Sequence, residues 1–264
     1  MKCFLCNKSD FEVVYNLKTR KIIRCQNDGL FLAQDQFKDK YFYDKNYFDL
    51  SPYPSSINKN YFLNKLRKII EITGEKKPSI LDIGCGWGNF LELLKEKNIP
   101  YLGIDTSPEA IKICSQKKLN CRQIDVETLV SENKNKYSSI TCFQVIEHLE
   151  NPLIFLKSIK KLLKKNRVII MTTPNNNSPL RKIFGQKWSV YNIKSHFVFY
   201  DKETLKKTLT MAGFKNINIK TDNIRFLSLG YIFSRLFNVK LPIANYLPIL
   251  TDRFGDLEII LKRS

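Results

Sequence analysis

Ile80-Leu81-Asp82-Ile83-Gly84-Cys85-Gly86-Trp87-Gly88-Asn89-Phe90 reads as an apolar strand that runs into a glycine-punctuated turn and leaves as a helix. Three glycines at alternate positions let a backbone come close to a ligand where any Cβ would intrude. Asp82 puts a carboxylate at the strand end. The helix that begins near Asn89 offers unpaired N–H groups and the positive end of its dipole, which suits an anionic group.

Outward from this turn, strand and helix patterns alternate. Strands are expected at 79–83, 101–104, 120–124, 138–143, 167–172, 216–220 and 257–262, and helices at 90–97, 108–117, 152–163 and 202–212. Ser107-Pro108 and Asn151-Pro152 are helix-opening pairs. An amphipathic helix over 61–73 precedes the first of these strands. Such alternation predicts an α/β fold with a parallel, doubly wound sheet, whose ligand sits off the carboxyl ends of the strands.

Those ends carry the right groups together. Asp105 follows the second strand, about twenty residues past Gly84, where an acid takes both hydroxyls of a ribose. Asp125, after the third, can accept the exocyclic amine of an adenine. Gln144-Val145-Ile146-Glu147-His148-Leu149 follows the fourth. Each acid alone reads equally as a loop cap; the set reads as a nucleotide site. The spacing Gly84-x-Gly86-x-Gly88 brings the third glycine one residue earlier than a dinucleotide dehydrogenase requires, and no P-loop lysine is present.

At Leu81–Gly88, Gly103-Ile104-Asp105, Ile124-Asp125-Val126 and Val145–Leu149 the chain resembles class I S-adenosylmethionine-dependent methyltransferases. The resemblance covers 58–264. It implies a Rossmann-like, seven-stranded sheet whose last strand lies antiparallel beside the sixth. It also implies roles: Asp82, Gly84, Cys85, Gly86 and Gly88 around the methionine part of the cofactor, Asp105 and Thr106 at the ribose, Asp125 and Val126 at the adenine, and Gln144 near the methyl. Tyr137-Ser138 departs from the family's aromatic-Asp pair, at a position that is not a cofactor ligand. The stretch from Trp188 to Leu205, with Ser195-His196-Phe197-Val198-Phe199-Tyr200, resembles a bacterial subgroup that methylates sugars, quinone precursors and other small acceptors.

Methyl transfer to a hydroxyl needs a group to take the proton, and imidazole is best matched near neutrality. The chain has two histidines, His148 and His196, both in these motif segments. His196 is the expected base, with His148 as base or acceptor-positioning group; Glu147 is expected to orient or to hold structure, and Tyr191 and Tyr200 are secondary candidates. Thr173-Pro174-Asn175 is not the Asn-Pro-Pro-aromatic element of enzymes that methylate bases in DNA.

The N-terminal region, 1–33, reads as a small ribbon-like cap. Cys3-x-x-Cys6 is answered by Cys25-Gln26-Asn27-Asp28. Aspartate can ligate zinc, so Cys3, Cys6, Cys25 and Asp28 form a candidate Cys3Asp site; the alternative is a ribbon that folds without metal. Some sugar methyltransferases of the resembling group carry a four-cysteine ribbon there. Residues 34–57, rich in tyrosine and phenylalanine, are expected to be a linker or a lid. The apolar stretch 226–250 is expected to cover the acceptor, join two copies or rest on a membrane.

The 43% hydrophobic content supports a sizeable core, while Lys8 and Asp10 break any leader-like apolar run, and no spanning segment is expected. Seven scattered cysteines fit a reducing compartment, so a cytoplasmic protein is expected, with contact at the inner membrane face as the variant. A net charge of +19 fits either an anionic partner or solvated lysine-rich helix faces, and nothing resembles a nucleic-acid-binding block. The expected function is O-methylation of a sugar hydroxyl, nucleotide- or lipid-linked, in surface polysaccharide biosynthesis. The alternatives are a phenolic or quinone-type acceptor, sugar C-methylation, and a non-catalytic cofactor-binding module.

Overall fold

The computed structural model describes residues 1–35, 55–132, 136–222, 226–228, 248–250 and 255–263. The aromatic stretch over 36–54 and most of the apolar stretch over 226–250 lie outside them. Strands β1 (Phe11–Asn16), β2 (Arg20–Cys25) and β3 (Phe31–Asp35) open the chain. Helix α1 (Ser55–Thr73) leads to β4 (Ile80–Ile83), α2 (Asn89–Glu96), β5 (Tyr101–Asp105), α3 (Pro108–Gln116), β6 (Cys121–Gln123), α4 (Val126–Glu132) and β7 (Tyr137–Phe143). Then come α5 (Pro152–Leu162), β8 (Leu163–Thr173), α6 (Pro179–Phe184), β9 (Val198–Phe199), α7 (Lys202–Met211) and β10 (Asn216–Thr221). The short antiparallel pair β11 (Phe226–Ser228) and β12 (Pro248–Leu250) precedes the last strand, β13 (Leu257–Lys262).

The main sheet has the order β10-β13-β8-β7-β4-β5-β6. Pairings β7/β8, β4/β7, β4/β5 and β5/β6 are parallel, and β13 runs antiparallel to both its neighbours, as the family resemblance implied. The chain order reverses at β4, between β5 and β7, so a crevice opens off its carboxyl end. Every residue of β4 is buried, as a central strand covered on both faces requires. Helix α4 departs from the sequence reading. Its seven residues show too little periodicity to announce themselves, and Asp125 caps it by accepting from Thr128 N at 2.6 Å.

The cap is not an isolated ribbon. Its strands β1, β2 and β3 form a second sheet with β9, a strand contributed from beyond residue 190. Cap residues Cys3, Ile23, Leu30 and Leu32 belong to the same apolar cluster as the main sheet. Ile22 and Ala33 pack with Leu180, Phe184, Trp188, Tyr191 and Phe199 in another. A thirty-residue ribbon has too little apolar area for a core of its own, and here it shares one.

Helix α1 is fastened to the sheet by charge. The Lys65 ammonium, 3% exposed, lies 2.6 Å from both Asp222 and Glu258, and Lys68 holds the other oxygen of Glu258 at 2.5 Å. Among the described residues no helix is long and apolar enough to cross a membrane. Removing one partner of a buried ionic cluster leaves its carboxylates uncompensated. Lys65→Ala is therefore expected to lower the unfolding free energy by about 3–5 kcal/mol in urea titrations. Lys68→Ala, at a part-exposed partner, is expected to cost about 1 kcal/mol or less.

Candidate active site

The turn after β4 is bolted to β5. The carbonyl of Ile104 accepts from Gly84 N at 2.8 Å and Cys85 N at 3.1 Å, and the Asp105 carboxylate accepts from Gly86 N at 3.0 Å. Gly84 adopts φ 71°, and a Cβ there would stand 2.6 Å from Val145 Cγ2. At Gly86, φ 52°, no atom lies within 4 Å of where a Cβ would stand. The space beside Gly86, on the cavity side of the turn, is open. Gly88 does not line the cavity: its bare Cα faces Leu119 Cδ1 and Cys114 Sγ, so this glycine serves packing of the outgoing helix.

The crevice is a cavity of about 650 Å3. Asp82, Gly84, Cys85, Gly86, Asp105, Thr106, Asp125, Val126, Gln144, His148 and His196 all line it. The cavity thus gathers the residues expected at the cofactor, Gly88 excepted, together with both histidines. Asp105 is held by N–H groups of Gly86 and Ser107, one on each oxygen, which leaves further lone pairs for hydroxyl donors. Burial raises its pKa, and those N–H bonds partly offset the rise. Gln144 sits at φ 58°, a sparsely populated conformation for a side-chain-bearing residue, and its amide donates to Asp256 Oδ2 at 2.9 Å. Asp125 has two duties available, cavity wall and helix cap.

Asp82 is 3% exposed and accepts from Thr141 Oγ1 at 2.6 Å. Burial raises its pKa to about 7; the Thr141 hydroxyl opposes this and the neighbouring Asp105 adds to it. Burial pushes His148 down to about 4, with carbonyls of Ser195 and Gln144 opposing, so its ring is neutral at pH 7. Its Nδ1 lies 2.9 Å from the Ser195 carbonyl, which assigns the proton to that nitrogen. The rings of His148 and His196 meet edge-to-face, centroids 4.5 Å apart. Glu147, 1% exposed, accepts from Thr173 Oγ1 and stands close enough to both imidazoles for the three to share a cation.

Tyr191 and Tyr200, the secondary candidates, are fully buried away from the cavity. Tyr191 packs between Tyr15, Trp188 and Phe199, and its hydroxyl donates to Asn176 Oδ1 at 2.5 Å. Burial raises its pKa to about 12, which removes it from acid–base work. The sequence reading did not single out Tyr61, Asp222 and Asp256 in the cavity wall. The position of Asp222 after β10 was the available signal; Tyr61 lies inside an ordinary amphipathic helix.

In the cap, Cys3, Cys6, Cys25 and Asp28 present ligand atoms all within 4.8 Å of one another. Two knuckles repeat the same geometry. Cys3 N donates to Lys8 O and Asn7 N to Cys3 O; Cys25 N donates to Leu30 O and Gly29 N to Cys25 O. Asn7 and Gly29 both have positive φ, 60° and 81°. Asp28 therefore occupies in the second knuckle the position Cys6 holds in the first.

A seven-stranded sheet with this reversal, glycine turn and series of strand-end acids defines a class I S-adenosylmethionine-dependent methyltransferase. The model of the methyltransferase domain family matches residues 57–219, more than half of the chain, and the chain belongs to that family. A solved S-adenosylmethionine-dependent methyltransferase from Archaeoglobus fulgidus aligns with a TM-score of 0.57 at 25% identity, covering 85% of this chain and 100% of that one. A ubiquinone biosynthesis O-methyltransferase of Nitrosomonas europaea is 31% identical over 134 residues, 48% of this chain and 56% of that protein. Its counterpart in Nitrosospira multiformis is 31% identical over 104 residues, 37% of this chain and 44% of that protein. The chain spans about half the length of the curated relatives it matches.

The raised pKa of Asp82 makes ligand binding in this cavity pH-sensitive. A ligand carrying an ammonium or sulfonium favours the carboxylate, so binding releases a proton. Affinity for S-adenosylmethionine is expected to rise between about pH 6 and about pH 8 in calorimetry, and Asp82→Asn is expected to flatten that rise while weakening binding. For the unliganded protein the sign is opposite to that of a salt-bridged carboxylate. This group's contribution to stability declines as pH rises from about 4 to about 7, because the unfolded chain loses the proton first.

Proposed function

We propose that the protein transfers a methyl group from S-adenosylmethionine to a hydroxyl oxygen of a small, uncharged acceptor of phenolic or quinone type. The observation that carries this is the charge of the cavity. In a chain of net charge +19, the described charged side chains lining the cavity are carboxylates, with His148 and His196 besides, and no Lys or Arg. A nucleotide- or lipid-linked sugar would bring phosphates into that acidic crevice, at an electrostatic cost. A neutral ring suits the aromatic and aliphatic members, among them Phe62, Phe143, Leu149, Phe155 and Ile193. The name of these relatives, ubiquinone biosynthesis O-methyltransferase, supports the same acceptor class.

The cofactor, when bound, supplies an electrophilic methyl group on a sulfonium sulfur. Asp82, Asp105 and Asp125 would hold its cationic, ribose and adenine parts, and the cradle at Gly86 leaves it room. His196 accepts the hydroxyl proton on an imidazole nitrogen while the acceptor oxygen attacks in line. His148, with its proton committed to the Ser195 carbonyl, orients the base rather than replacing it. His196→Ala is expected to keep cofactor affinity and lose about 10²–10⁴-fold in kcat; unchanged turnover would refute the assignment. Screening catechols beside nucleotide sugars tests the acceptor, and methyl transfer to the sugars alone would reject the phenolic reading.

We propose also that Cys3, Cys6, Cys25 and Asp28 hold a zinc ion. Zinc–sulfur bonds of about 2.3 Å place two tetrahedral sulfurs about 3.8 Å apart. Here Cys6 and Cys25 sulfurs are 3.5 Å apart, and Cys3 Sγ lies 3.0 Å from Asp28 Oδ2. Burial and the neighbouring Asp28 raise the thiols of Cys3 and Cys6, so zinc binding there would release protons. Protein purified without chelator is expected to carry about one zinc per chain, lost in Cys25→Ser; under about half an equivalent would reject the site.

A further inference from the structure

Arg20 opens β2 in the cap, yet it is 3% exposed. Its guanidinium is received by one turn of the catalytic domain. Nη1 donates to the carbonyls of Ile193 at 2.5 Å and Tyr191 at 3.4 Å. Nη2 donates to those of His196 at 2.8 Å and Lys194 at 3.2 Å. Four carbonyls from a six-residue stretch thus face a single cation. The planar fork of a guanidinium can serve several acceptors at once in fixed directions, which an ammonium on a flexible stem cannot reproduce.

That stretch also forms part of the cavity wall, to which it contributes Ile193 and His196, with Val190 just before it. Its other ties run to the loop after β7 and to the cap. His148 Nδ1 bonds the Ser195 carbonyl, Phe197 N donates to Glu147 O, and Ala33 N donates to Phe197 O. The cofactor side is built separately, from the ends of β4, β5 and β6, and Arg20 is not among the residues lining the cavity.

We propose that Arg20 is a positioning residue of the acceptor site. It gathers the carbonyls of 191–196 so that Ile193 and His196 face the cavity, and it makes the N-terminal cap a working part of the methyltransferase. The proposal rests on the reading that the acceptor lies against His196. Loss of the guanidinium removes its hydrogen bonds to four carbonyls of this turn, of which that of Ile193 keeps a bond from His196 N at 3.0 Å, and so loosens the turn.

Two readouts test this, one of which needs no acceptor. In Arg20→Lys, hydrogen exchange read by mass spectrometry is expected to speed up in peptides spanning 190–197. Peptides spanning 80–90 and 101–107 are expected to keep wild-type protection, and S-adenosylmethionine affinity is expected to stay within about twofold. With a catechol that the wild type methylates, kcat/KM for the acceptor is expected to fall about 10- to 100-fold. Millimolar guanidinium is expected to restore part of the activity of Arg20→Ala and none of His196→Ala. Arg24→Ala, at an exposed arginine of the same strand, is expected to behave as wild type. Unchanged exchange at 190–197 in Arg20→Lys would overturn the proposal. So would deprotection spread equally over the cofactor peptides, which marks general damage. Full activity of His196→Ala would overturn the base assignment alone, because the exchange pattern reads the turn whichever group takes the proton.

Discussion

The carbonyl of Ile104, taking two successive N–H groups from Gly84 and Cys85, is the bond on which the ligand crevice depends. It forces the chain leaving β4 to turn across the end of β5. It also delivers Gly86 N to the carboxylate of Asp105. The turn closes only with Gly84 left-handed and bare, because Val145 fills the space a side chain would need. A side chain there would have to displace Val145, from the segment that carries Gln144 and His148. One backbone bond thus sets the register between the strand-end acids on one side and the imidazoles on the other.

Net charge and local charge diverge in this protein. The +19 balance is carried largely by lysines on helix and strand surfaces, whereas the described cavity wall is acidic. The few buried cations are committed to structure: Lys65 to Asp222 and Glu258, Arg20 to backbone carbonyls. Charges separated by more than a Debye length, about 8 Å at physiological salt, are screened in solvent. A positive exterior therefore does not argue for an anionic substrate once the pocket wall is negative.

The two halves of the site have different architectures. One wall of the cavity is built on the ends of parallel strands of the main sheet. Another, around Ile193 and His196, is a turn of irregular backbone, kept in shape by His148 from one side and by the cap from the other. Irregular backbone has no ladder to satisfy its carbonyls, so something outside it must. The cap does so, and its core is shared with the domain it serves.

How much of this was legible follows from distance along the chain. The alternation of strands and helices, the glycine turn and the acids at Asp82, Asp105 and Asp125 are patterns within a few residues, and the chain displayed them. Short elements were not legible: α4 is capped by the same Asp125 that reads as a ligand, and β9 is two residues long. Gly88 reads as a third point of close approach, but only packing against Leu119 and Cys114 shows what its missing side chain is for. Tyr191 and Tyr200 read as proton acceptors until burial removes them. Arg20 and His196 are 176 residues apart, and no local pattern announces that one holds the other. The sequence by itself displayed the alternation of strands and helices and the glycine turn with its strand-end acids, because these rest on local periodicity and spacing, and its resemblance to a known family supplied the class of chemistry. Tertiary structure alone decided the sign of the cavity and the joining of the cap to the cavity wall around His196, because both arise where distant segments are buried against each other.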